Sequence, residues 1–140
     1  IAGLPDIILD GAHNPDAMRR LVQTVKELFL QRQVLVVFGA LGSHNVTDMA
    51  SYIKTLSSRI IAVKSRDPRA IPSDSVANIC REIGFQVISE SENVGCATRR
   101  AVNLAQGDDI VLITGSLSVV AEAMEEIMGV DPEFYPDINR

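Results

Sequence analysis

Gln33-Val34-Leu35-Val36-Val37-Phe38 decides the fold. Side chains alternate between the two faces of a strand, so a run that is apolar at successive positions must be buried on both faces. That is the condition of a strand inside a parallel sheet covered by helices on each side. Asp109-Ile110-Val111-Leu112-Ile113-Thr114 has the same character. Working outward, Pro5-Asp6-Ile7-Ile8-Leu9-Asp10, Arg59 to Val63 and Phe85 to Ser89 read as further strands. The stretches between them have helical spacing, at about Pro15–Leu30, Val46–Leu56, Pro72–Ile83, Asn93–Ala105 and Leu117–Met128. In the first, Asn14-Pro15 supplies an N-cap and a proline at the first helical position. Behind it Met18, Leu21, Val22, Val25, Leu28 and Phe29 form one apolar face. Gly84 is placed to close the third helix. Strands that alternate with helices predict an α/β fold with a mostly parallel sheet, since each parallel crossover needs a helix.

Composition narrows the function. The 140 residues suit one domain, 1–140, and 46% of them are apolar, enough for a real core. The net charge is −5 and only 4% of residues are aromatic. A basic face for phosphates and a stacking platform for bases are both missing, so nucleic acid is not expected as a partner. Nothing approaches the roughly 20 apolar residues of a membrane span, so no membrane partner is expected either. Cys80 and Cys96 read as small buried or half-buried thiols in a reducing cytosol, which sets a cytoplasmic expectation. The first strand begins within a handful of residues of Ile1, so upstream domains are expected to precede this one.

In an open parallel sheet, ligands bind beyond the carboxyl ends of the strands. The residues that fall there are Asp10-Gly11-Ala12-His13-Asn14, Gly42-Ser43-His44-Asn45, Lys64-Ser65-Arg66-Asp67 and Thr114-Gly115-Ser116. Both histidines of the chain are among them. Asp10 could take the hydroxyls of a ribose, or could hold its own loop amides as a turn. His13 could act on a substrate, or could be a structural hydrogen-bonding group. Ser116 could cap the last helix, or could meet a substrate carboxylate at that helix N-terminus. Lys64 and Arg66 could attract an anion, or could simply be solvated. No paired histidine spacing suggests a metal site, and none is expected. The chain has neither a G-x-G-x-x-G fingerprint nor a G-x-x-x-x-G-K-[ST] phosphate loop, so it lacks the usual equipment to hold a triphosphate by itself.

Asp10-Gly11-Ala12-His13-Asn14-Pro15, set between a strand and a helix, resembles the D-G-A-H-N-P signature of folylpolyglutamate and dihydrofolate synthases, members of the Mur ligase superfamily. Ile113-Thr114-Gly115-Ser116-Leu117 resembles the T-G-S-L element of their last domain, and Asp67-Pro68-Arg69-Ala70 resembles its P-R-A stretch. The resemblance runs in order from about Pro5 to Met128. It implies a Rossmann-like three-layer sandwich of the Mur ligase C-terminal type, preceded by an ATPase domain that this chain lacks. It implies an ATP-dependent ligase that joins L-glutamate to dihydropteroate or a folate through an acyl phosphate. ATP and Mg²⁺ would be held mainly by the upstream domain. Carried over by position, Asp10 and Asn14 would meet the nucleotide, and His13 would help to organise the reacting groups. Ser116, with Ser43 and His44, would hold the amino acid. One triplet departs from the family, since Ser43-His44-Asn45 stands where a lysine-bearing triplet is usual. The alternatives are a Mur-type ligase for a different acid and a Rossmann-like binding module without catalysis.

Overall fold

The computed structural model describes residues 5–42 and 45–129. Five strands and five helices alternate: β1 (Asp6–Asp10), α1 (Pro15–Leu28), β2 (Val34–Phe38), α2 (Val46–Lys54), β3 (Arg59–Val63), α3 (Ser73–Ile83), β4 (Gln86–Ser91), α4 (Val94–Leu104), β5 (Ile110–Thr114) and α5 (Leu117–Met128). The strands form one sheet in the order β1-β5-β2-β3-β4. Every pairing in it is parallel, so the expected mostly parallel sheet is wholly parallel.

The two apolar runs behave as their sequences require. β2 and β5 are buried at every residue, and they are neighbours. Their alternating side chains feed two separate cores. Val34, Val36, Phe38, Ile110 and Leu112 pack with Met18, Val22, Met49, Ile53 and Val76 on the α1–α2–α3 side. Leu35, Val37, Val111 and Ile113 pack with Val94, Ala97, Ala101, Val119 and Ala123 on the α4–α5 side. This division gives the three layers.

Caps fix the helix starts. Asn14, Asn93 and Ser116 each accept a hydrogen bond from a backbone N–H of the first turn that follows. Several boundaries differ from the sequence reading by one or two residues. α1 ends at Leu28, two residues early, because Phe29 leaves the helical region at φ −128° and ψ 51° and Gln31 turns left-handed at φ 66°. α2 ends at Lys54 rather than Leu56, where Thr55 and Leu56 take tight i−3 bonds to Tyr52 and Ile53. α3 begins at Ser73, whose hydroxyl donates to Glu92 at 2.6 Å, and ends at the left-handed Gly84 as expected. β4 continues past Ser89 to Ser91, with a register shift against Ile60/Ile61.

Among the described residues, no helix is long and apolar enough to cross a membrane. Cys80 is buried, and burial pushes its thiol up to about 12. Cys96 is exposed, against the expectation of a half-buried thiol, because it sits on the solvent side of the first turn of α4. Ser43, His44 and the tail from Asp131 lie outside the described residues.

Candidate functional site

The loops at the carboxyl ends of β1, β2, β3 and β5 surround a cleft of about 580 Å³. His13, Leu41, Asp67, Arg69, Ser116 and Leu117 are in its lining. It lies where an open parallel sheet places its ligands.

Two glycines allow the loops to close up. Gly115, at φ 116°, packs against Gly39 so tightly that a Cβ there would lie 1.8 Å from the Gly39 carbonyl oxygen. Gly39 in turn lies against Val63, and its N–H points to the Thr114 carbonyl at 3.4 Å. The β2 loop is also stitched to the loop after β3. Gly42 donates to Arg69 O at 2.9 Å, Ile71 donates to Ala40 O at 3.1 Å, and Leu41 bridges Ala70.

Asp10 ends β1, beside Thr114 in the parallel register. Its Oδ1 accepts from the Ala12 N–H at 2.9 Å, so the turn is formed. The same carboxylate still has a second oxygen to offer a ligand. His13 is exposed, with Nδ1 at 3.1 Å from the Gly11 carbonyl oxygen. Asn14 is exposed, and its Oδ1 accepts from Ala17 N at 2.8 Å as the cap of α1.

Ser116 is fully buried and caps α5, accepting from Val119 N at 3.1 Å. Its hydroxyl is also 2.9 Å from the Ser118 hydroxyl, which is 2.8 Å from that of Ser65. A short chain of buried hydroxyls thus ties the loop after β3 to the start of α5. The unsatisfied N–H groups of that helix face the cleft end and favour an anion.

The cation in the cleft lining is Arg69 of the Asp67-Pro68-Arg69-Ala70 stretch, and neither Lys64 nor Arg66, the two offered as an attraction for an anion. Arg66 turns away, and donates to Glu125 at 2.8 Å and 2.9 Å, while its backbone N–H donates to the buried Glu122 at 2.8 Å. Arg69 lines the cleft instead. It grips Asp67 with two bonds, Nε to Oδ1 at 3.1 Å and Nη2 to Oδ2 at 2.8 Å. The Arg69 hydrogen bonds and charge hold the Asp67 carboxyl below its ordinary range and push the guanidinium up. Arg69 keeps 63% of its side chain exposed, which leaves donors for a ligand. Its i+2 spacing from Asp67 in a proline-bearing loop was the available clue.

Among the described residues, no group of three or more His, Cys, Asp and Glu could hold a metal ion.

Residues 2–117 match the family described as Mur ligase, glutamate ligase domain, and the chain belongs to that family. A "probable bifunctional folylpolyglutamate synthase/dihydropteroate synthase" of Halobacterium salinarum is 36% identical over 119 residues, which are 85% of this chain and 14% of that protein. The structure is similar to E. coli FolC in complex with DHPP and ADP, with a TM-score of 0.77, 27% identity and coverage of 88% of this chain and 28% of that one. It is similar to a bifunctional folylpolyglutamate synthase/dihydrofolate synthase with Mn, AMPPNP and L-glutamate bound, with a TM-score of 0.75, 26% identity and coverage of 87% and 29%. The chain thus spans between a seventh and a third of the length of these proteins.

Proposed function

We propose that this domain serves an ATP-dependent amide ligase that adds L-glutamate to dihydropteroate or a folate. The observation that carries the reading is the cleft itself. It gathers His13 of the Asp10–Pro15 loop, the Arg69 guanidinium and the N-terminus of α5 at one end of the sheet. A nucleotide ribose and an amino-acid carboxylate are the ligands that such groups suit. The family membership and the ligand-bound relatives support the same pairing.

In this reading Asp10 takes ribose hydroxyls through its second carboxylate oxygen, while Asn14 holds the start of α1 beneath the nucleotide. His13 is the catalytic organiser, exposed at the mouth of the cleft. Ser116 and Arg69, with Ser43 and His44 of the β2 loop, take the amino-acid carboxylate. ATP delivers the phosphoryl group that makes the acceptor carboxylate reactive, and the glutamate amine then displaces phosphate. A separate ATPase domain of the same protein carries the triphosphate and Mg²⁺. The compartment that goes with this reading is the cytoplasm, as the two unpaired thiols suggest.

The test is an assay of the ligase that carries this domain. Phosphate release should require both L-glutamate and dihydropteroate or a folate, and Asp10→Ala should raise the KM for ATP. Release that depends on a different amino acid, with glutamate inert, would overturn the substrate assignment.

A further inference from the structure

Thr114 closes β5 and is fully buried. Among the described residues, its Oγ1 is the buried side-chain oxygen without a hydrogen-bond partner. An unmade hydrogen bond at a buried hydroxyl destabilises a fold, and valine would fill the same space without it. Such an orphan calls for an explanation at the place where it sits.

The sheet shows which polar group it can reach. Thr114 is the register partner of Asp10 on one side and of Phe38 on the other. Ile8, Phe38, Ile110 and Leu112 all face the α1–α2–α3 core. Strand alternation therefore puts Asp10 and Thr114 on that same face, one strand spacing apart. Phe38 can accept nothing, so the Asp10 carboxylate is the polar side chain next to the orphan in that row. At present Asp10 is drawn towards its own loop by the Ala12 N–H.

We infer that Thr114 is a positioning residue for Asp10, and that its hydroxyl donates to the Asp10 carboxylate when a vicinal diol occupies the ends of β1 and β5. A carboxylate that receives two sugar hydroxyls must present both oxygens outward. The Thr114 hydroxyl then steadies it from behind, in place of the turn bond to Ala12. The inference rests on the nucleotide reading of Asp10 given above.

The experiment titrates ADP and 2′-deoxy-ADP into the ligase that carries this domain and into its Thr114→Val, Thr114→Ser and Asp10→Asn variants. Amide shifts at Ala12 and Thr114 follow binding, and thermal unfolding is run alongside. Thr114→Val should melt at or above the parent temperature, since it removes an unsatisfied group. It should nevertheless bind ADP about tenfold more weakly, with Thr114→Ser restoring affinity. The penalty should shrink for 2′-deoxy-ADP, which lacks one hydroxyl of the diol. Equal ADP affinity in parent and Thr114→Val, an equal penalty for both nucleotides, or a lower melting temperature would each overturn the inference. The first two leave the nucleotide reading standing if Asp10→Asn abolishes the shifts. If ADP moves neither Ala12 nor Thr114 in the parent ligase, the nucleotide reading falls, and this inference with it.

Discussion

Gly115 rests on Gly39 with no room for a side chain between them, a Cβ on the former meeting the carbonyl oxygen of the latter at 1.8 Å. The obstacle is backbone, and Gly115 is also left-handed at φ 116°. Gly115→Ala should therefore cost about 3 kcal/mol or more. Gly42 is left-handed too, at φ 69°, but a Cβ there meets nothing within 4 Å. Gly42→Ala should cost only about 1 kcal/mol. Urea unfolding of the two variants side by side checks the contrast, and equal losses would refute the close approach.

Acid should loosen the fold through two carboxylates. Asp67 is held below its ordinary range chiefly by the Arg69 guanidinium, and Glu92 chiefly by the Ser73 hydroxyl. A depressed folded value means that the stabilisation is complete above the ordinary carboxylate range. It is lost as pH falls through the folded value. Unfolding free energy should thus hold steady near neutrality and decline below about pH 4. Asp67→Asn should lower stability at pH 7 by about 1–3 kcal/mol and make the acid decline shallower. An unchanged decline in that variant would show that the pair contributes nothing.

Ser116→Ala removes the cap of α5 and interrupts the hydroxyl chain through Ser118 to Ser65. The loss should be about 1–2 kcal/mol. In the ligase, the variant should raise the KM for the amino acid while that for ATP stays put. A rise in both together would assign Ser116 a purely structural part.

The two thiols should separate by reactivity. Cys96 is exposed, whereas Cys80 is buried with its thiol pushed up to about 12. A disulfide reagent should label Cys96 rapidly in the native chain and reach Cys80 only on unfolding. Rapid labelling that persists in Cys96→Ser would contradict the packing around α3.

Much of this architecture could be read in advance because it is written locally. Val34–Phe38 and Ile110–Thr114 are apolar on both faces, and a strand of that kind has few other places to go. Asn14, Asn93 and Ser116 stand one residue before the helices that they cap. β4 was underestimated because its last residues, Glu90 and Ser91, are polar and owe their extension to pairing with Ala62 and Val63. Of the candidate site, the strand-end positions of Asp10, His13 and Ser116 were legible from the topology. The engagement of Arg66 was not, since its partner Glu122 is 56 residues away and the two meet only through the fold. The contact of Gly39 with Gly115 and the orphaned Thr114 hydroxyl are likewise products of strand order, and no pattern within either segment announces them.

Among the described residues, β1 pairs on one side only, whereas β5 is flanked by β1 and β2. The two halves of the candidate site therefore differ in how freely they can be redesigned. Substitutions in the loop that follows β1 act at the rim, where one flank is free to adjust. Substitutions around Gly115 are boxed in on two sides and transmit any shift to the centre of the sheet. A programme of directed evolution aimed at new acceptors would be expected to harvest most of its viable changes from the first loop, and to leave the second nearly untouched.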